Sequence, residues 1–142
     1  MALNTYDYSE IALSEVHHFK GYSIFMRKDN ILHLQFEEDG YYGELKDAQN
    51  MIATFRKLNN GVKHALLVIY MENNMFSKEA RDYISTKEIS DEVLIADAMV
   101  INGLALKILA NAYLKINKPG RPTCLFNNPE DALKWLKKII SK

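Results

Sequence analysis

Few side chains in this sequence are placed to do chemistry, and their spacing argues against most catalytic uses. The four histidines, His17, His18, His33 and His64, form no His-Glu-x-x-His or other ligand spacing. The only close two are adjacent, and neighbours on a strand point to opposite faces, so no metal site is expected. The single cysteine, Cys124, excludes an internal disulfide and a multi-thiolate zinc centre, and within the apolar run 123–126 it reads as a small buried hydrophobe. Neither a glycine-rich phosphate loop nor a Gly-x-Ser-x-Gly nucleophile elbow is present.

Two residues stand out against this background. Asp97 interrupts the apolar run 93–101. A carboxylate there must be hydrogen-bonded, exposed at an edge or shifted towards its neutral form, and a satisfied structural role is expected ahead of acid–base catalysis. Ser77 stands at the start of a helical pattern, where its hydroxyl can accept from a backbone N–H two or three residues on. A phosphate on it would bring about −1.5 to −2 charges to a helix N-terminus, with Lys78 and Arg81 within reach. Glu37, Glu38, Asp39 and Glu44 read as a charged turn. No nucleophile, base and orienting group can be assembled, so no catalytic residue, metal or cofactor is expected, and the chain is expected not to be an enzyme.

The elements that must position Ser77 and Asp97 follow from periodicity. Tyr22, Ile24 and Met26, then Leu32, Leu34 and Phe36, alternate with polar residues across a turn at 28–30, which predicts a β-hairpin. Ala48, Met51, Ile52, Phe55 and Leu58 fall on one face of a helix over 45–58, ended by Asn59, Asn60 and Gly61. Residues 64–70 are nearly continuously apolar, as in a strand buried on both faces, and 71–76 form a loop before the helix that starts at Ser77. A second apolar strand, 93–101, leads through Asn102 and Gly103 into a helix to about 117. A last strand, 123–126, precedes a helix with Asn128 as N-cap and Pro129 at its first position. Ile11 to Val16 could be a short strand, so residues 1–20 are an arm or an edge strand.

The order is therefore hairpin, then α-β-α-β-α-β-α, which defines an α/β domain with a mixed, mostly parallel central sheet and helices packed on it. At 142 residues the chain is expected to form one domain, 1–142, burying about two thirds of its unfolded surface. In such sheets ligands and partners gather where strand C-termini meet helix N-termini, which directs attention to 71–81 and to Asn102 and Gly103. The helix over 102–117 carries Leu104, Ala105, Ile108, Leu109, Ala112, Tyr113 and Ile116 on a wide apolar arc, with Leu106 beside it. That arc needs more cover than one sheet face gives, either from a second copy in a homodimer or from a wide internal groove.

Net charge is zero. Acids predominate before residue 50, whereas eight Lys and Arg face only Glu130 and Asp131 from Lys107 onwards. The lysines are spread along helices, so a solvated face is expected and not a nucleic-acid stripe. No apolar run is long enough to span a bilayer, and the first residues lack the basic and apolar regions of a secretory signal, so a cytoplasmic location is expected.

A strand, a loop and a serine-capped helix in the middle of an α/β domain of this size resemble the STAS fold of anti-sigma-factor antagonists, the SpoIIAA-like fold. The resemblance implies a non-enzymatic regulatory domain that binds a protein partner, with Ser77 at the position of the family's phosphorylated serine. Met75 and Phe76 stand where that family carries an acidic residue. A nearer likeness is to small bacterial STAS-like proteins common in the Bacteroidetes. It is carried by Gly43 and Glu44 with Asp47 and Ala48, by Glu79 to Tyr83, by Leu114 to Pro119 with Pro122, Thr123 and Phe126, and by Asp131 and Ala132 with Trp135 and Leu136. On this reading a partner meets Asn73, Asn74, Phe76, Ser77, Lys78 and Arg81. The alternative is a small ligand, a lipid or a nucleotide, held near Asn102 and Gly103.

Overall fold

A computed structural model describes residues 6–141. The strands are β1 (His17–Phe19), β2 (Tyr22–Met26), β3 (Leu32–Phe36), β4 (Tyr42–Gly43), β5 (His64–Ile69), β6 (Met75–Phe76), β7 (Leu94–Val100) and β8 (Thr123–Phe126). The helices are α1 (Leu45–Asn59), α2 (Lys78–Ser85), α3 (Lys87–Ser90), α4 (Leu104–Asn117) and α5 (Pro129–Ile140). Six strands form the central sheet in the order β1-β2-β3-β5-β7-β8. The first three are antiparallel neighbours, and β3, β5, β7 and β8 run parallel.

The hairpin forms because Tyr22, Ile24, Met26, Leu32, Leu34 and Phe36 all bury on one sheet face, and Asn30 takes the left-handed turn conformation at φ 64°. That face is covered by α1 through Met51, Ile52 and Phe55. The opposite face holds Ala65, Leu67, Ala96, Ala98 and Val100 under Ala132 and Leu136 of α5. Helix α5 starts as its sequence requires: the Asn128 side chain accepts from the Asp131 N–H, and Pro129 costs no hydrogen bond in the first turn.

One irregularity decides which way β7 faces. The pairing steps from His64 opposite Leu94 to Leu66 opposite Asp97, so two residues, Ile95 and Ala96, oppose Ala65 alone. Both lie on the α5 side, and this bulge turns Asp97, Met99 and Ile101 to the α1 side.

The structure corrects the sequence reading in four places. The N-terminal edge strand is His17–Phe19, while 11–16 contributes only a bridge from Ala12 to Arg27; residues 1–5 of the expected arm lie outside the described residues. Tyr42–Gly43 and Met75–Phe76, the latter within the expected loop 71–76, pair as a two-stranded parallel ribbon. A further turn of helix, α3, separates α2 from β7. Finally, the apolar arc of α4 faces mostly outwards: Leu104, Ile108 and Ile116 are 75%, 59% and 79% exposed, while Leu106 is buried. Starting after Gly103 at φ 96°, the helix presents Leu106, Ala110 and Leu114 to the core, one step round from the expected face.

Candidate functional site

Because α4 anchors by one buried side chain, it stands away from the sheet and leaves a groove of about 410 Å³. The floor is the core itself: Leu34, Leu66, Val68 and Met99 of the strands, with Met51, Ile52 and Phe55 of α1. The walls are α2, through Lys78, Arg81 and Ile84, and α4, through Leu106, Leu109, Ala110, Tyr113 and Ile116. Across the top, the Asn117 amide donates to the Asp82 carboxylate at 2.8 Å and to the Ser85 hydroxyl at 3.3 Å, holding the end of α4 to α2. Hydrogen bonds from Lys78 and Asn117 keep the Asp82 carboxyl below its ordinary pKa.

The polar end of this groove is built on Asp97. The Arg121 guanidinium, 5% exposed, donates to both Asp97 oxygens, at 2.8 Å from Nε and 2.7 Å from Nη2. Its Nη1 also donates to Ser90 Oγ at 2.6 Å, Asp91 Oδ1 at 3.1 Å and the Ile84 carbonyl at 3.3 Å. Burial alone would lower the guanidinium pKa, but the adjoining Asp97 carboxylate outweighs it and the group stays firmly protonated. Asp97 is thus the satisfied carboxylate that its apolar strand requires. Beside it stand Tyr70 and Tyr113. Burial, then the neighbouring tyrosine and Asp97, raises Tyr70; burial and Asp97 push Tyr113 up to about 12. Both phenols remain protonated donors at neutral pH.

The residues expected to meet a partner divide. Asn73, at φ 58°, and Lys78 are exposed, and Lys78 pairs with Asp82 at 2.8 Å. Asn74 is 1% exposed: its amide donates to the Glu38 carbonyl at 2.9 Å and its carbonyl accepts from the Met71 N–H at 2.7 Å. Phe76 packs edge-on against Phe36 at 5.9 Å, and a side chain on Gly43 would meet its ring at 2.5 Å. Burial therefore removes Asn74 and much of Phe76 from any partner surface and makes them the lock between loops 37–43 and 71–76. Arg81 spends Nη1 on the Phe76 carbonyl at 2.6 Å. Asn102 and Gly103 are exposed and do not line the groove. Among the described residues no cluster of three metal-ligating side chains occurs.

Ser77 caps α2 as its position requires: Oγ accepts from the Ala80 N–H at 3.1 Å, and its own N–H donates to the Gly43 carbonyl at 2.9 Å. Ser77→Ala should cost about 1 kcal/mol in urea denaturation, whereas Ser77→Asp, an equally good cap, should cost less than half of that. Equal losses in both variants would show that capping is not what the hydroxyl supplies.

A six-stranded mixed sheet with β3, β5, β7 and β8 parallel, α5 on one face and α1, α2 and α4 on the other places the protein among α/β domains of the SpoIIAA-like fold. An uncharacterized protein of the DUF3478 family with a SpoIIAA-like fold, from Shewanella loihica PV-4, matches 89% of this chain and 98% of its own at 16% identity, with a TM-score of 0.58. The chain belongs to the family described as Domain of unknown function (DUF7793), whose model matches residues 25–140. A protein of unknown function from Arthrobacter sp. FB24 aligns over 86% of this chain and 96% of its own at 24% identity, with a TM-score of 0.30. No curated protein matches the sequence. Among the described residues no helix is long and apolar enough to cross a membrane.

The sequence offers a wide groove as one of two covers for the apolar arc over 102–117, but does not place its floor or its second wall. The groove's one legible trace was the excess of apolar residues on the helix over 102–117, whose inner edge, Leu109, Ala112, Tyr113 and Ile116, lines it.

Proposed function

We propose that the domain is a non-enzymatic binding module that holds a small, largely apolar molecule in the groove between the sheet, α2 and α4. The observation that carries this reading is the groove itself, a cavity of about 410 Å³ floored by core aliphatics and open between two helices. Ligand sites commonly combine such volume and apolar lining with a few convergent polar groups. A cytoplasmic, ligand-responsive role fits the SpoIIAA-like fold, and the site lies against α4, not at Asn102 and Gly103. In a thermal-shift screen of uncharged alkyl and aryl compounds, a ligand at a hundredfold excess over its Kd stabilises by about 2.7 kcal/mol, a rise of several degrees. Ala112→Trp at the rim, narrowing the entrance, should abolish the rise. A flat screen would end this reading.

Contact with a protein is the second reading, and it has its own observation. Leu104, Ile108, Leu109 and Ile116 make an exposed aliphatic stripe along α4. A second copy is the simplest occupant. Light scattering should then return twice the chain mass of 16.4 kDa, and Ile108→Asp should return it to one. For a partner docking at Asn73, Ser77 and Lys78, Ser77→Ala and Ser77→Asp proteins that retain it equally would sink regulation by phosphate there.

A further inference from the structure

Three cations line the groove, Lys78, Arg81 and Arg121, and two of them are answered within the fold. Lys78 pairs with Asp82 at 2.8 Å, while Arg121 spends Nε and Nη2 on Asp97 and Nη1 on Ser90, Asp91 and the Ile84 carbonyl. Arg81 differs. It is half-buried, makes no ion pair among the described residues, and donates only from Nη1, to the Phe76 carbonyl at 2.6 Å. The carboxylate next to it on α2, Asp82, already accepts from Lys78 and Asn117. Nε and Nη2 of Arg81 are therefore left without a protein acceptor, and these are the same two nitrogens with which Arg121 grips both oxygens of Asp97.

The free charge bears on the cavity. Burial and Asp97 raise the Tyr113 phenol on the facing helix α4, and Arg121 and Arg81 act against them, so the field of Arg81 reaches across the groove. Lys78 and Arg81 also stand in the opening turns of α2, where the helix dipole adds positive potential. A single carboxylate matches the open fork in shape and in charge. A phosphate monoester, with about −1.5 to −2 charges, brings more than one open cation can answer, and the cluster of Asp97, Asp91 and Arg121 already holds one carboxylate in excess. At about 410 Å³ the cavity lies near the lower end of the roughly 300–1,000 Å³ of ligand pockets, which suits a single chain of medium length.

We infer that the groove takes a single-chain amphiphile with one terminal carboxylate, its oxygens accepting from Arg81 Nε and Nη2 and its hydrocarbon lying over Leu66, Val68 and Met99. This rests on the groove being a ligand site.

The test titrates decanoate, 2-decanone and decyl phosphate into the full chain at pH 7 by calorimetry. Decanoate should bind at least tenfold more tightly than the uncharged ketone, and more tightly than decyl phosphate. Arg81→Gln removes the cation and should bring decanoate down to the affinity of the ketone, leaving the ketone unchanged. Should that variant fold poorly, the unaltered protein answers independently. At pH 5, where the free acid is partly protonated, the carbon NMR shift of carboxyl-labelled decanoate should be that of the carboxylate alone once bound, because pairing lowers its pKa whereas burial without a cation raises it. Decanoate no tighter than the ketone, decyl phosphate tighter than decanoate, indifference to Arg81→Gln, or a protonated bound carboxyl would overturn the ligand class and leave the groove reading standing. Failure of all three probes to bind would overturn the class and the groove reading together.

Discussion

Arg121→Met should destabilise the protein by about 3–5 kcal/mol, a larger loss than any surface change would give. The guanidinium is 5% exposed and joins β7, α3 and the end of α2 through Asp97, Ser90, Asp91 and the Ile84 carbonyl. Removing it strands the Asp97 carboxylate, only 7% exposed, without its counter-charge. Lysine should not rescue, because one ammonium cannot reproduce two parallel bonds to a carboxylate and a third to Ser90. Replacing both residues, as Arg121→Met with Asp97→Leu, should recover much of the loss, since the expensive species is the unpaired buried charge. Urea denaturation of the three proteins checks this. A loss below about 1 kcal/mol in the single variant would mean that water reaches the cluster and that the pair is not structural.

Stability should also fall by about 3 kcal/mol as pH is lowered from 7 towards 4, through one histidine. His33 is 3% exposed, stacked on Phe25 at 4.4 Å, and burial pushes its pKa down to about 4. Its hydrogen bonds suit the neutral ring: Nε2–H donates to Gln35 Oε1 at 3.0 Å, and Nδ1 accepts from Arg27 Nη1 at 3.1 Å. Protonation would set a new N–H against a guanidinium. Between the unfolded value of about 6.5 and the folded value of about 4, the unfolded chain binds the extra proton. Stability from this source is therefore complete above pH 6.5 and is lost as pH falls through that window. His33→Gln should flatten the profile there whatever its cost at pH 7; an unchanged slope would assign the acid sensitivity elsewhere.

The parts of the fold that were legible are those whose patterns repeat. The hairpin alternates over five residues on each side, and α1 and α5 carry several turns of periodicity with recognisable ends at Asn60 and at Asn128 with Pro129. The β4–β6 ribbon was not legible because two residues per strand are too few to show a period. Asn73 and Asn74 look alike in sequence; only the second finds a carbonyl 36 positions away, at Glu38, and becomes core. Asp97 announced that it needed a partner, but Arg121 sits among Pro119, Gly120 and Pro122, where the sequence reads as a helix stop. Where the groove lies was hidden for a deeper reason. It is a gap between elements, set by how far α4 stands from the sheet, and no residue pattern encodes a distance between distant segments.

The extra residue in β7 works as a phase shifter for everything after it. Were Asp97 to slip by one residue and pair with Leu67 in regular alternation with no bulge, the rest of the strand would turn over, carrying Asp97 under α5 and Ala98 into the groove. Arg121 would lose its carboxylate and the groove its polar end in one event. The bulge therefore sets the chemistry of the site while leaving the architecture in place.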